Sequence, residues 1–225
     1  MSMNTDIKLI RLAQALDPLF PIGSFTLSNG TETYTAKNIV TDKESLTALL
    51  NAYVYTLPTG DLGFGAKAAS GEDITLLDAL CTASKSPYEL RDGSSKLCRR
   101  FIKAQSTLCP TPRLTDYSEK IEKGECTGFH PIAVGLFIAD IEADISEGLS
   151  LYAYSLLSAM ANHAVKLVPL RQLDGQAALY TAMEKIPEAV EKALSVPLDD
   201  LGISGSGFEL RSMQHEKLFT RIYIS

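Results

Sequence analysis

Apolar positions recur every three or four residues along most of the chain, and the runs break at proline, glycine and capping residues. From Asp6 to Leu16 the residues Ile7, Leu9, Ile10, Leu12, Ala13 and Leu16 form a helical stripe, which Pro18 ends; Pro18 and Pro21 bracket a rigid connector. Thr41 with Glu44 predicts a capping box opening a helix from Asp42 to Leu57, stopped by Pro58 and Gly60. The small, glycine-containing stretch from Asp61 to Ser70 carries no clear pattern.

Asp73 can cap a helix reaching Ser84, and Ser86-Pro87-Tyr88-Glu89 is a second capping box with proline at the first helical position. Its apolar side is Leu90, Leu97, Phe101, Ile102 and Leu108, ending before Pro110 and Pro112. Helices are predicted from Leu114 to Lys123 and from Ile132 to Ile141. A longer one runs from Ser146 to Leu167, with Leu149, Ala153, Leu156, Met160, His163 and Leu167 on one face. That face is either core or the seam of a homodimer. Asp174 begins a helix toward Lys185 and Pro187 another toward Leu194, whereas Pro197 to Gly207 reads as loop. No strand–helix alternation, repeat or linker interrupts this succession. The pattern predicts an all-α, single-domain helical bundle of about eight to ten helices spanning 1–225.

Composition narrows the function. A chain of 225 residues with 45% apolar side chains builds one sizeable core. A net charge of −6 disfavours broad attraction to nucleic acid. The N-terminus lacks a signal-peptide pattern, and no apolar run approaches the roughly 20 residues of a membrane span, so a soluble, cytoplasmic protein is expected. Cys81, Cys98, Cys109 and Cys126 never form C-x-x-C and read as free thiols in a reducing compartment.

Catalytic signatures are missing. There is no phosphate-cradling G-x-x-x-x-G-K-[ST], no G-x-S-x-G and no H-E-x-x-H; His215-Glu216 lacks the second histidine. Gly202 to Gly207 lacks the flanking strand and helix of a dinucleotide site. Cys126 and His130 would share a metal only on a continuous helix, which Gly128 weakens, and His163 sits on an apolar stripe as a core or interface residue. No catalytic residue, resident metal or cofactor is assigned. A helical hydrolase or lyase using His130 and His163 and a cysteine–histidine metallochaperone are the alternatives to a scaffold.

Two segments at opposite ends mix glycine, charge and apolar residues beyond what core packing requires. The first is P-x-G-x-[FY]-x-x-S-x-G-x-E through Pro21, Gly23, Phe25, Ser28, Gly30 and Glu32; the second holds Met213, His215, Glu216, Arg221 and Tyr223. Between them, Lys166-Leu-Val-Pro-Leu-Arg-Gln172 precedes Asp174-Gly-Gln. In this order the three segments resemble the UreF-type urease accessory family across nearly the full length. Lys166 stands where that family commonly has arginine, Arg171 where it has glycine and Leu27 where it often has histidine.

The resemblance implies an all-α homodimer without catalytic activity. It would bind the accessory protein UreD (UreH) and recruit the nickel-carrying GTPase UreG to apo-urease. The residues named in the three segments would then form partner-binding surface. The stretch at about 203–225 supplies a separate physical reason: Met213, Leu218, Phe219, Ile222, Tyr223 and Ile224 follow a glycine–serine loop and alternate with charge, as in a tail that docks on a partner. Packing back onto its own bundle is the alternative for this tail.

Overall fold

A computed structural model describes the backbone of residues 3–203 and 205–224 and the side chains from Ile7 onward. Ser204, within the expected loop after Pro197, lies outside the described residues. The helices are α1 (Met3–Ala15), α2 (Thr31–Ala36), α3 (Lys43–Val54), α4 (Asp61–Ala69), α5 (Ile74–Ser84), α6 (Tyr88–Leu108), α7 (Pro112–Glu122), α8 (His130–Asp140), α9 (Ile145–Leu167), α10 (Gln172–Met183), α11 (Ile186–Ser195) and α12 (Ser206–His215). Short 3-10 turns occupy Ser24–Thr26 and Leu198–Asp200, and the described residues contain no strand.

The described residues form an all-α fold as expected, but their twelve helices exceed the expected eight to ten. The surplus is α2, α4 and α12, which are only 6, 9 and 10 residues long. Helices this short are not stable alone, and packing supplies what their local pattern does not signal. In α4 every residue from Leu62 to Ala69 except Lys67 is buried, so no amphipathic stripe exists to be read.

The core is organised around α8, which is buried continuously from His130 to Ile138. A helix that is apolar all round belongs at the centre of a bundle. It packs most extensively on α4, and also on α6, α7 and α9. At the α4 crossing a Cβ on Gly135 would collide with the Gly65 carbonyl oxygen, so the two backbones lie in direct contact. The long α9 runs past α1, α2, α3, α8, α10 and α11, burying Leu149, Ala153, Met160 and His163, while Leu156 is only half-buried.

Two predicted helix starts are corrected. The box at α3 is closed by Asp42 and Ser45, not Thr41 and Glu44: Ser45 N donates to Asp42 Oδ1 at 2.8 Å and Asp42 N to Ser45 Oγ at 3.1 Å. At α6, Pro87 precedes the first helical residue Tyr88, and no side chain caps the helix. Glu89 is turned to another use, described below. The cap on α5 is as expected, with Leu76 N donating to Asp73 at 2.7 Å.

The loop before α8 is fixed by the buried carboxylate of Asp78, which accepts from Tyr117 Oη (2.7 Å), Thr127 N (2.7 Å) and Gly128 N (2.9 Å). Among the described residues no helix is long and apolar enough to cross a membrane.

Candidate functional site

The two terminal segments meet in space. In the first, Gly23 and Gly30 adopt left-handed backbone, with φ of 82° and 80°, at the starts of the 3-10 turn and of α2. A side chain at Gly30 would be strained by that φ and would press on Ser212 of α12. The glycines therefore let the connector turn sharply beneath the C-terminal helix. Arg100 of α6 holds the connector from outside, donating to the Ile22 carbonyl at 3.1 Å. Ser28 is buried and its hydroxyl accepts from Glu32 N at 3.4 Å. This places Glu32, only 4% exposed, in the first turn of α2.

Glu32 and Glu89 grip the tail. The two nitrogens of the fully buried His215 face them, Nε2 at 2.9 Å from Glu32 Oε2 and Nδ1 at 2.6 Å from Glu89 Oε2. Arg221 adds a cation, donating to Glu89 Oε1 at 2.8 Å. The two carboxylates thus meet an imidazole and a guanidinium, and hydrogen-bonded partners of this kind make burial of charge tolerable. Glu32 also accepts from the backbone, from Ile222 N at 2.7 Å and Tyr223 N at 3.0 Å, while Ile224 N donates to the Thr26 carbonyl at 2.8 Å. The tail is laid across the connector by its own main chain.

Packing reinforces the grip. The Tyr223 ring is buried against His163, with centroids 4.3 Å apart, and His163 Nε2 donates to the Phe25 carbonyl at 3.0 Å. Upstream, Phe208 of α12 sits between Tyr34 and Tyr53, at centroid distances of 5.5 and 5.3 Å. Aromatic pairs at such separations add to simple burial.

Of the residues expected to bind a partner, Gly23, Ser28, Gly30, Glu32, His215, Arg221 and Tyr223 are brought together in this construction. Pro21, Phe25, Met213 and Glu216 stand exposed around it. Lys166 is exposed about one turn beyond His163, and its charge reaches that ring. Gln172 is exposed at the start of α10 and takes no part in the network. Glu89 is the participant that sequence reasoning misassigned. Its position three residues after Ser86 imitates a capping box, and only its 2.6 Å contact with His215, 126 residues away in sequence, reveals the other role.

Gly128, with φ of 90°, breaks the backbone between Cys126 and His130, and among the described residues no three His, Cys, Asp or Glu side chains converge as a metal site. Burial pushes the thiols up, Cys81 to about 12 and Cys126 to about 11, which suppresses the nucleophilic thiolate.

His163 gives the fold a dependence on acid. Burial, opposed by the Phe25 carbonyl and aided by the Lys166 charge, pulls its pKa from 6.5 to about 4. Between those values the unfolded chain binds the extra proton. The stability contributed by the neutral ring is therefore complete above about pH 6.5 and is lost as pH falls toward about 4, at about 1.4 kcal/mol per pH unit. Denaturant titrations between about pH 7 and 4.5 should show His163→Phe with a slope shallower by about one proton; an unchanged slope would contradict a neutral buried ring.

Comparison with known proteins agrees with this architecture. A family model described as UreF matches residues 40–183, which stops short of both terminal segments. Relatives extend the match to nearly the full length of the chain. The urease accessory protein UreF of Actinobacillus pleuropneumoniae serotype 5b (strain L20) is 35% identical over 221 residues, covering 95% of this chain and 97% of its own. Those of Haemophilus influenzae (strain ATCC 51907 / DSM 11121 / KW20 / Rd) and Bacillus sp. (strain TB-90) are 32% and 29% identical, covering 95% and 97% of this chain and 94% and 99% of their own. With a family model over most of the chain and similarity covering 95% of it, the chain belongs to the UreF family of urease accessory proteins.

Proposed function

We propose that this protein is a non-catalytic scaffold of urease maturation that binds UreD (UreH) and recruits the GTPase UreG for GTP-dependent nickel insertion into apo-urease. Nickel is cargo in this reading, and the scaffold works in the cytoplasm. The observation that carries it is the way the tail is anchored. Its main chain is fixed by Glu32 and Thr26, yet Phe219 is wholly exposed and Ile222 and Ile224 are 73% and 51% exposed, near Phe25 at 57%. Apolar side chains held in water on an ordered backbone are already positioned for a partner, which then bears less of the ordering cost.

A homodimer belongs to the same reading, with a different seam from the stripe of α9. That stripe is largely buried within its own bundle. Leu173 and Tyr180, seven residues apart on one side of α10 and 73% and 69% exposed, fit a second copy better.

Co-expression of the tagged chain with UreD and UreG tests the proposal. The expected result is a stable complex containing all three on size exclusion at physiological salt. Recovery of the chain without UreD would overturn it, and a stoichiometric tight nickel site on the isolated chain would favour a metallochaperone.

A further inference from the structure

The solvent face of α6 carries a row of positive charge. Lys96, Arg99, Arg100 and Lys103 follow the i, i+3, i+4, i+7 spacing that aligns residues on one side of a helix, and all four are exposed. The opposite side, with Leu97, Cys98, Phe101 and Ile102, is buried in the core. At the rise of an α-helix the row is about 10 Å long. From Gly93 to Thr115 the sequence holds these four cations and Arg113 but no Asp or Glu, in a chain whose net charge is −6. Positive charge is therefore concentrated on one face of an otherwise acidic molecule.

Local partners leave most of that charge uncompensated. Among the described residues, the row's one ion pair joins Lys96 to Asp92 at 2.6 Å on the surface of α6 itself. An exposed pair of this kind contributes little and exchanges readily. Arg99 and Arg100 instead each donate one N–H to a backbone carbonyl, Arg99 Nη2 to Thr127 and Arg100 Nη1 to Ile22, both at 3.1 Å. A carbonyl orients a guanidinium without neutralising it, and the remaining N–H donors of each fork stay available to an outside acceptor. Two oriented guanidinium groups with a lysine on either side suit carboxylates spaced along a peptide. The connector adds an apolar edge: Phe20 packs on Phe101, with ring centroids 6.2 Å apart, and the adjacent Leu19 is 87% exposed.

We propose that this row is a docking surface for an acidic protein segment, whose carboxylates meet Lys96, Arg99, Arg100 and Lys103 and whose apolar residue meets Leu19. Charge complementarity fixes the sign of the occupant, and the shortness of the row fixes its class. A nucleic acid would extend past a row of about 10 Å onto a surface of net negative charge, whereas a short acidic segment fits within it. The row lies outside the His215 network, so the inference is independent of the proposed docking of UreD.

The test uses the full chain and a short capped peptide of glutamates around one leucine, with the glutamine version of that peptide as its uncharged match. Fluorescence anisotropy at low salt should show saturable binding of the glutamate peptide alone, weakening as salt is raised. Lys96→Glu combined with Lys103→Glu should lower the affinity at least about tenfold. Lys37→Glu combined with Lys43→Glu makes the same charge change at exposed positions elsewhere and should lower it no more than about twofold. In NMR spectra of the wild-type chain, the peptide should move the amides between Lys96 and Lys103 most. Absence of saturable binding, equal binding of the glutamine peptide, equal losses in the two charge-reversed pairs, or shifts centred away from α6 would each overturn the surface. Single-stranded DNA of matched charge binding more tightly than the peptide would overturn a protein segment as its occupant. If the α6 pair does not fold, the wild-type spectra and the glutamine peptide still decide the matter.

Discussion

Replacing Glu32 by alanine is expected to destabilise the protein by about 3 to 5 kcal/mol, the range for removing one partner of a buried charge network. The loss strands His215 Nε2 and the amides of Ile222 and Tyr223, three donors whose positions were set by one carboxylate. A fall in melting temperature on the order of 10 °C corresponds to this for a chain of this size. Glu89→Ala should cost less, because the Arg221 side chain it frees is 43% exposed and can turn to water. Urea titration of both variants checks the order. A Glu32→Ala variant within about 1 kcal/mol of the wild type would mean that the carboxylate does not bear the network.

Exchanging Phe219 and Ile222 together for aspartate is expected to leave folding nearly unchanged and to weaken UreD binding at least about 100-fold. Exposed positions away from buried contacts usually shift stability by no more than about 0.5 kcal/mol. The same side chains buried in an interface would each contribute at hot-spot scale, about 2 kcal/mol or more, and a charge placed there adds desolvation. Isothermal titration with UreD measures the effect, and undiminished affinity would remove the tail from the interface. This design replaces truncation from Met213 onward, which composition alone expects to leave the helical content intact. The fold alters that expectation. Truncation would leave Glu32 and Glu89 buried without His215 and Arg221, mixing a folding defect with a binding defect.

The difference between these two designs marks how far sequence reasoning reaches. The long helices α6 and α9 were legible because each combines a periodic apolar side with a definite stop, at Cys109 to Pro112 and at Pro169. Helix α4 was not, since a helix buried on nearly every side has no period. Helix α12 was not either, because its stability derives from Phe208 inserting between two tyrosines on other helices. At the site, both segments announced themselves through unusual composition, yet nothing local indicated that they face each other. Glu89 was hidden for the opposite reason: its local context offered a sufficient explanation that the fold does not use. The partly buried cation–carboxylate pair of Lys85 and Asp61, 24 residues apart, likewise left no sequence signal.

Hydrogen exchange on the chain alone and with UreD tests most directly whether an anchored tail presents the docking face. In the free chain the amides of Ile222, Tyr223 and Ile224 should exchange well below the unfolded rate, because each has a fixed acceptor. Addition of UreD should then slow exchange further across the connector around Phe25 and the tail from Phe219 to Ile224. Tail amides that exchange at the unfolded rate in the free chain, or a pattern that UreD leaves unchanged, would contradict the account.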